Sequence, residues 1–214
     1  YKKKLSLAAI DVMSSERVAD EALVKVLADA QIMLAKHIDL YLAKLQKFNV
    51  RIVVIGIEEL TTDIPEYSKL RPKEYWNERA RGLGATRYIP VVSCAEENVL
   101  KLPSDKYYGE NIFVHEFAHT LLELAISEID VGFMPRLQEA YDQAIRQGLW
   151  KDTYASTNAE EYWAEGVQSW FNSNKYSAEA DGIHNSINTR DKLKEYDPIL
   201  YSLIEIWFYP GDLL

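Results

Sequence analysis

The chain has a single cysteine, Cys94. One thiol makes no internal disulfide framework and no cysteine-based zinc site, and it leaves the redox compartment open. Basic residues are also in short supply, 24 Lys and Arg against 33 Asp and Glu, for a net charge of −9. Phosphate backbones need a basic face, so this balance argues against nucleic acid as a partner. The one basic cluster, Lys2-Lys3-Lys4, reads as a solvated end. No apolar run approaches the roughly 20 residues of a membrane helix, so no transmembrane segment is expected. Internal repeats, low-complexity tracts and Pro/Gly/Ser linkers are missing too. Histidine is scarce, with 4 in the chain, and a pattern among so few carries information.

What is present suits a buried core: 214 residues, 48% of them hydrophobic and 27% charged. Apolar side chains at Leu23, Val26, Leu27, Ala30, Met33 and Leu34 follow the i, i+3, i+4 stripe of an amphipathic helix over residues 20–37, with a shorter helix after it. Residues 49–57 (NVRIVVIGI) are β-branched and predict an inner strand. The polar stretch 61–84 reads as a long surface excursion, and 86–93 as a second strand. Pro90 cannot donate to a ladder and assigns that strand to an edge. Helices are expected near 111–127, 135–147 (closed by Gly148), 158–172 and 198–208. Strands early and helices late predict an α+β fold. We read one domain over 1–214, with N-terminal helices and a small sheet in 1–110 and site-bearing helices in 111–214.

The residues that carry chemistry are His115-Glu116-Phe117-Ala118-His119. Side chains four apart on a helix stand one turn above each other, so both imidazoles can reach one ion. Glu116 lies on the adjoining face, where a carboxylate can take a proton from water activated by that ion. Apolar flanks (Ile112, Phe113, Val114, Leu121, Leu122) bury the helix, and two histidines and a glutamate buried there without partners would be costly. A chance match to this pattern in a chain of this length is on the order of 1%.

Two imidazoles leave a catalytic zinc one protein ligand short. A metzincin would place Gly and His three and six residues after His119, where Leu122 and Ala125 stand instead. Carboxylates further on are the remaining candidates. Thr157 and Glu160 have the spacing of a capping box, which would start a helix at Asn158 and occupy Glu160. Glu161 and Glu165 then share one helical face. Glu161 as third ligand and Glu165 as the acceptor that orients a ligand imidazole is the economical assignment; a solvated acidic first turn is the alternative.

The run Tyr154-Ala155-Ser156-Thr157-Asn158-Ala159-Glu160-Glu161-Tyr162-Trp163-Ala164-Glu165, taken with the histidine motif, resembles the catalytic domain of the anthrax lethal factor family, a wider group that includes the Pro-Pro endopeptidases. The match covers residues 111–171 closely and 1–85 only loosely. The resemblance implies a zincin-like (gluzincin-type) metallopeptidase fold and peptide-bond hydrolysis with one Zn2+. It implies His115, His119 and Glu161 as metal ligands, Glu116 as the base, and a peptide or protein as substrate. That family also carries a catalytic tyrosine seven residues before the ligand glutamate, which here is Tyr154. Its members are exported, and a chain beginning at Tyr1 rather than Met fits removal of an upstream piece. A secreted or extracytoplasmic protein is therefore expected.

His37 continues the apolar stripe of the first helix and reads as a core or boundary residue. His184 reads as a loop histidine and is held in reserve for substrate contact. An extended peptide could add to the edge strand beside Arg87. Gly82-Leu83-Gly84 reads as a turn, and the five tryptophans as packing residues. Two other readings stay open from sequence: a zinc-binding protein of this fold without turnover, and a zinc hydrolase of a non-peptide bond.

Overall fold

A computed structural model describes residues 1–7 and 10–213. Strands β1 (Lys3–Leu7) and β2 (Ile10–Ser14) come first, then helices α1 (Asp20–Leu34) and α2 (Ile38–Lys47). Strand β3 (Arg51–Ile55), helix α3 (Lys73–Arg79), strand β4 (Val91–Ala95) and the short α4 (Glu96–Val99) follow. Helices make up the rest: α5 (Ile112–Leu121), α6 (Ser127–Ile129), α7 (Phe133–Arg146), α8 (Ala159–Trp170), α9 (Arg190–Tyr196) and α10 (Pro198–Trp207). The strands form one sheet in the order β1-β2-β3-β4. β1 is antiparallel to β2, and the other two pairs are parallel. The α+β class expected from the sequence is the class observed.

β3 is the inner strand its composition predicts. Its residues alternate between two apolar layers: Ile52 and Val54 join the main core, while Val53 and Ile55 meet Ile64, Tyr67 and Val91 on the other face. A strand covered on both faces needs a continuous apolar run, and RIVVI supplies it. The excursion 61–84 is therefore not all surface, because Ile64 and Tyr67 form the second layer's lid.

The expected second strand is shifted. Residues 86–89 fold into a tight turn, with Thr86 N donating to Ile89 O, and the strand begins only after Pro90. Its edge position holds. The two N-terminal strands were not legible, and the basic end proves to be strand. Lys3 Nζ lies 2.6 Å from Asp20 and Lys4 Nζ lies 2.7 Å from Asp11. Pairing with β2 makes that strand, since its own pattern is too charged to announce one.

α1 ends at Leu34, and a 3-10 turn through His37 leads into α2. His37 sits at the boundary, with Nε2 2.9 Å from Ile206 O and its ring edge-on to Trp207. Trp150, Trp163, Trp170 and Trp207 are buried as expected.

α5 lies between β4 and α8. Asn111 caps it, accepting from Val114 N, and a π-helical segment (Leu122–Ile126) carries it into α6. Phe113, Val114, Phe117 and Leu121 are buried. Each contributes roughly 1.5–3 kcal/mol, which offsets the cost of holding histidines and a glutamate on the same helix. The indole of Trp163 donates to Ala118 O at 3.2 Å and ties α8 to α5.

The start of α8 corrects the sequence reading. Asn158, not Thr157, is the N-cap, accepting from Glu161 N at 2.8 Å. Thr157 instead closes a 3-10 turn over Tyr154–Ser156. Asn caps as well as Thr, and moving the cap by one residue places Glu161 rather than Glu160 at the third helical position. Glu160 is exposed and takes no part in capping.

Candidate metal centre

α5 and α8 meet face to face, and three side chains converge where they do. His115 Nε2, His119 Nε2 and Glu161 Oε2 lie 3.1 Å from one another in all three pairs. They are the group of His, Cys, Asp and Glu residues that could hold a metal ion among the described residues. Ligands about 2.0–2.1 Å from a tetrahedral zinc are about 3.3 Å apart, close to the separation found. Two imidazole nitrogens and a carboxylate oxygen meeting at one point offer mainly lone pairs, which is the donor set a cation requires.

The electrostatics follow from burial and proximity. Burial opposes the charge on Glu161, but hydrogen bonds from His115 and His119 outweigh it and hold the carboxyl well below the usual range. Burial likewise disfavours a charged His115. The Glu161 hydrogen bond and the charges of Glu116, Glu165 and Glu161 overcome that and push the metal-free ring up to about 10. A metal ligand must be a neutral imidazole, so an ion arriving near neutral pH displaces a proton. Affinity should therefore rise about tenfold per pH unit per displaced proton up to about pH 10, and level off above. Calorimetric titration in buffers of different ionisation enthalpy measures this. An affinity independent of pH, with no proton released, would show that no proton is displaced from His115.

Glu116 sits one residue after His115 and is half-buried beside a cleft of about 320 Å³. Its carboxylate takes no hydrogen bond from the described residues. Gly82 and Leu83 also line the cleft, and Gly82-Leu83-Gly84, which the sequence presented as a turn, runs directly against the helix beside Glu116. Leu83 pairs with Ser93 on the outer edge of β4 in a single antiparallel bridge. A Cβ at Gly82 would meet Ile112 Cγ2 at 2.6 Å, and one at Gly84 would meet His119 Cβ at 3.2 Å. At Gly82 a side chain would force Ile112 to move, and at Gly84 the fit is tight, so glycine lets this backbone pass close to the helix that carries the histidines.

A buried ion pair holds that wall in place. Arg81 grips Glu97 through Nε and Nη2 at 2.7 and 2.8 Å, and also donates to the carbonyls of Gly56 and Glu59. Replacing Glu97 with Ala would strand a buried guanidinium and should lower stability by about 3–5 kcal/mol. Urea denaturation checks this, and a loss under about 1 kcal/mol would mean that water reaches Arg81 easily.

Tyr154 stands on the 3-10 turn that precedes α8 and donates its hydroxyl to Glu161 Oε1 at 3.0 Å. Burial, and then the charge of Glu161, push the phenol above its ordinary range, so it stays a donor at neutral pH. Its backbone N is fixed by Ile183 O. Glu165 is buried and its Oε1 is 3.5 Å from His115 Nδ1, whereas Gln168 Oε1 is 2.9 Å from that nitrogen. Gln168 was missed by the sequence reading. It lies three residues past Glu165 and seven past Glu161, so one more turn of the same face would have reached it.

Two other candidates are placed differently. His184 is buried behind Glu110, with Nε2 3.3 Å from that carboxylate, and its neighbour Ile183 lines the cleft instead. Arg87 pairs with Glu128 and covers Phe48, away from the cleft lining. The β4 edge expected to accept a peptide is already met by Leu83 at Ser93.

No family model matches the chain, and no curated protein does. Among solved structures, a Pro-Pro endopeptidase from Paenibacillus alvei is similar over 92% of this chain and 96% of that one, at 20% sequence identity and a TM-score of 0.45. A likeness at that level carries no weight for the chemistry, which rests on the geometry above.

Proposed function

We propose that the chain is a zinc-dependent endopeptidase in which His115, His119 and Glu161 hold one ion. The observation that carries this reading is the triangle of ligand atoms at 3.1 Å, standing beside an open cleft with Glu116 on its wall. Residues 1–214 are taken as one metallopeptidase-like domain, the sheet half supplying the glycine wall and the helical half the ligands.

Bound zinc supplies Lewis acidity, which makes water acidic near neutral pH and polarises a carbonyl. Glu116 takes the proton from the attacking water and passes it to the leaving amine. Tyr154 donates its hydroxyl where negative charge develops on the substrate oxygen. In the free protein that hydroxyl rests on Glu161, so donation to a substrate needs only a change of acceptor. Ile112 and Ile183 give the cleft an apolar lining beside this polar centre. An intact base and phenol favour turnover over mere metal binding, since neither is needed to hold an ion.

The test is metal analysis followed by digestion of a peptide library with and without chelator. Cleavage that needs zinc and stops with chelator is expected. Zinc uptake without any cleavage would refute the peptidase reading, and no zinc uptake would refute the metal site itself. Within that assay, Tyr154→Phe should lower kcat by about 10²-fold with metal content unchanged. A kcat equal to the wild type would remove Tyr154 from the chemistry.

A further inference from the structure

We infer that Gln168, rather than Glu165, is the positioning residue that fixes the tautomer and ring orientation of His115. This rests on the metal-site reading above, and it concerns how the ligand is prepared rather than which residues bind.

Three hydrogen-bonded contacts determine one another. One end of the Gln168 amide lies 3.2 Å from Asn111 O and 3.5 Å from Glu110 Oε2. A backbone carbonyl can only accept, so the NH2 must occupy that end. The amide oxygen then faces His115 Nδ1 at 2.9 Å. An amide oxygen is itself only an acceptor, so Nδ1 must carry the proton. In the neutral ring, Nε2 is left with its lone pair pointing at His119 Nε2 and Glu161 Oε2. The tautomer a metal ligand needs is thus dictated by a backbone carbonyl two bonds away.

Gln168 is fully buried, which makes this arrangement hard to escape. At that burial, flipping the amide would set NH2 against Nδ1–H and oxygen against two acceptors, at the cost of several buried hydrogen bonds. Asn111 O is well anchored in its turn. It also accepts the backbone N of His115, and Asn111 is the N-cap of α5. The amide therefore clamps α8 to the first turn of the helix that bears both histidines. Glu165 has a different employment: its Oε2 accepts from Asn174 Nδ2 at 2.9 Å, and its other oxygen stands 3.5 Å from Nδ1. A neutral amide as the acceptor also adds no further negative charge beside Glu116 and Glu161.

Nitrogen-15 NMR of the histidine rings tests this directly. In the zinc-loaded wild type, His115 Nδ1 is expected to carry a slowly exchanging proton with cross-relaxation to the Gln168 side chain, and Nε2 to show the shift of a coordinated nitrogen. Gln168→Leu should lose that exchange protection and lower zinc affinity by about 10–100-fold. The isosteric Glu165→Gln should keep the protection and change affinity by less than about 3-fold, well short of that range. The inference is overturned if Nδ1 is the coordinated nitrogen, or if Glu165→Gln removes the protection. Should Gln168→Leu fail to fold, the wild type and Glu165→Gln still decide between the two acceptors. Should the protein take up no zinc, the metal site is refuted, yet the protected Nδ1 proton remains measurable in the metal-free protein and still tests Gln168.

Discussion

Replacing Glu116 with Gln should leave zinc bound and lower peptide hydrolysis by about 10²–10⁴-fold, equivalent to roughly 3–5 kcal/mol of transition-state stabilisation. The substitution isolates the proton transfer unusually well. The Glu116 carboxylate accepts no hydrogen bond from the described residues and is only half-buried, so the amide strands no partner. Its shape matches the space left by Gly82 and Gly84. Glu116 contributes no atom to the triangle of ligand atoms, so metal affinity should shift only through its charge. Turnover within about tenfold of wild type would remove Glu116 as the base, whereas loss of zinc together with activity would show a role in holding the ion.

The second large effect is expected at Glu161. Its replacement by Ala should weaken zinc binding by well over the roughly 100-fold seen when outer partners are lost, while Glu160→Ala leaves affinity near wild type. The two residues are adjacent, and both lie in the first turn of α8. They differ in what their side chains meet: Glu161 Oε2 is 3.1 Å from both ring nitrogens, and Glu160 is exposed. The helix itself should survive either change, because Asn158 caps through the backbone N of residue 161. Lost metal also removes the stabilisation that binding gives the folded state, so zinc should raise the melting temperature of Glu160→Ala but not of Glu161→Ala. Equal losses of affinity in the two variants would mean that the wrong carboxylate had been chosen.

The cap of α8 shows how closely chemistry depends on register. The T-x-x-E spacing at Thr157 and Glu160 is a sound local signal, and it leads to the right helix. Asn158 competes for the same role with a cap propensity at least as strong, which the T-x-x-E spacing alone does not register. The choice falls to the turn before it, where Tyr154 is anchored by Ile183 O from a loop some 30 residues later in the chain. β1 is a similar case. Its lysines speak for solvent, and only pairing with β2 makes it a strand.

By itself, the sequence singled out the histidine pair, the glutamate beside it and the carboxylate that meets both rings in the fold. Those four residues lie on two helices whose periodicity is strong, and helical spacing converts sequence distance into direction. It also determined the α+β class, the inner strand and the edge position of β4. Tertiary structure alone decided what surrounds the ligands. Gly82 and Leu83 become cleft wall because β4 presents Ser93 to Leu83. Arg87 and His184 are kept from the cleft by Glu128 and Glu110, carboxylates distant in the chain. Gln168 reaches His115 because Trp163 and the apolar seam bring α8 against α5. These are contacts between residues far apart in sequence, and no local pattern encodes which of several partners will fill a given space.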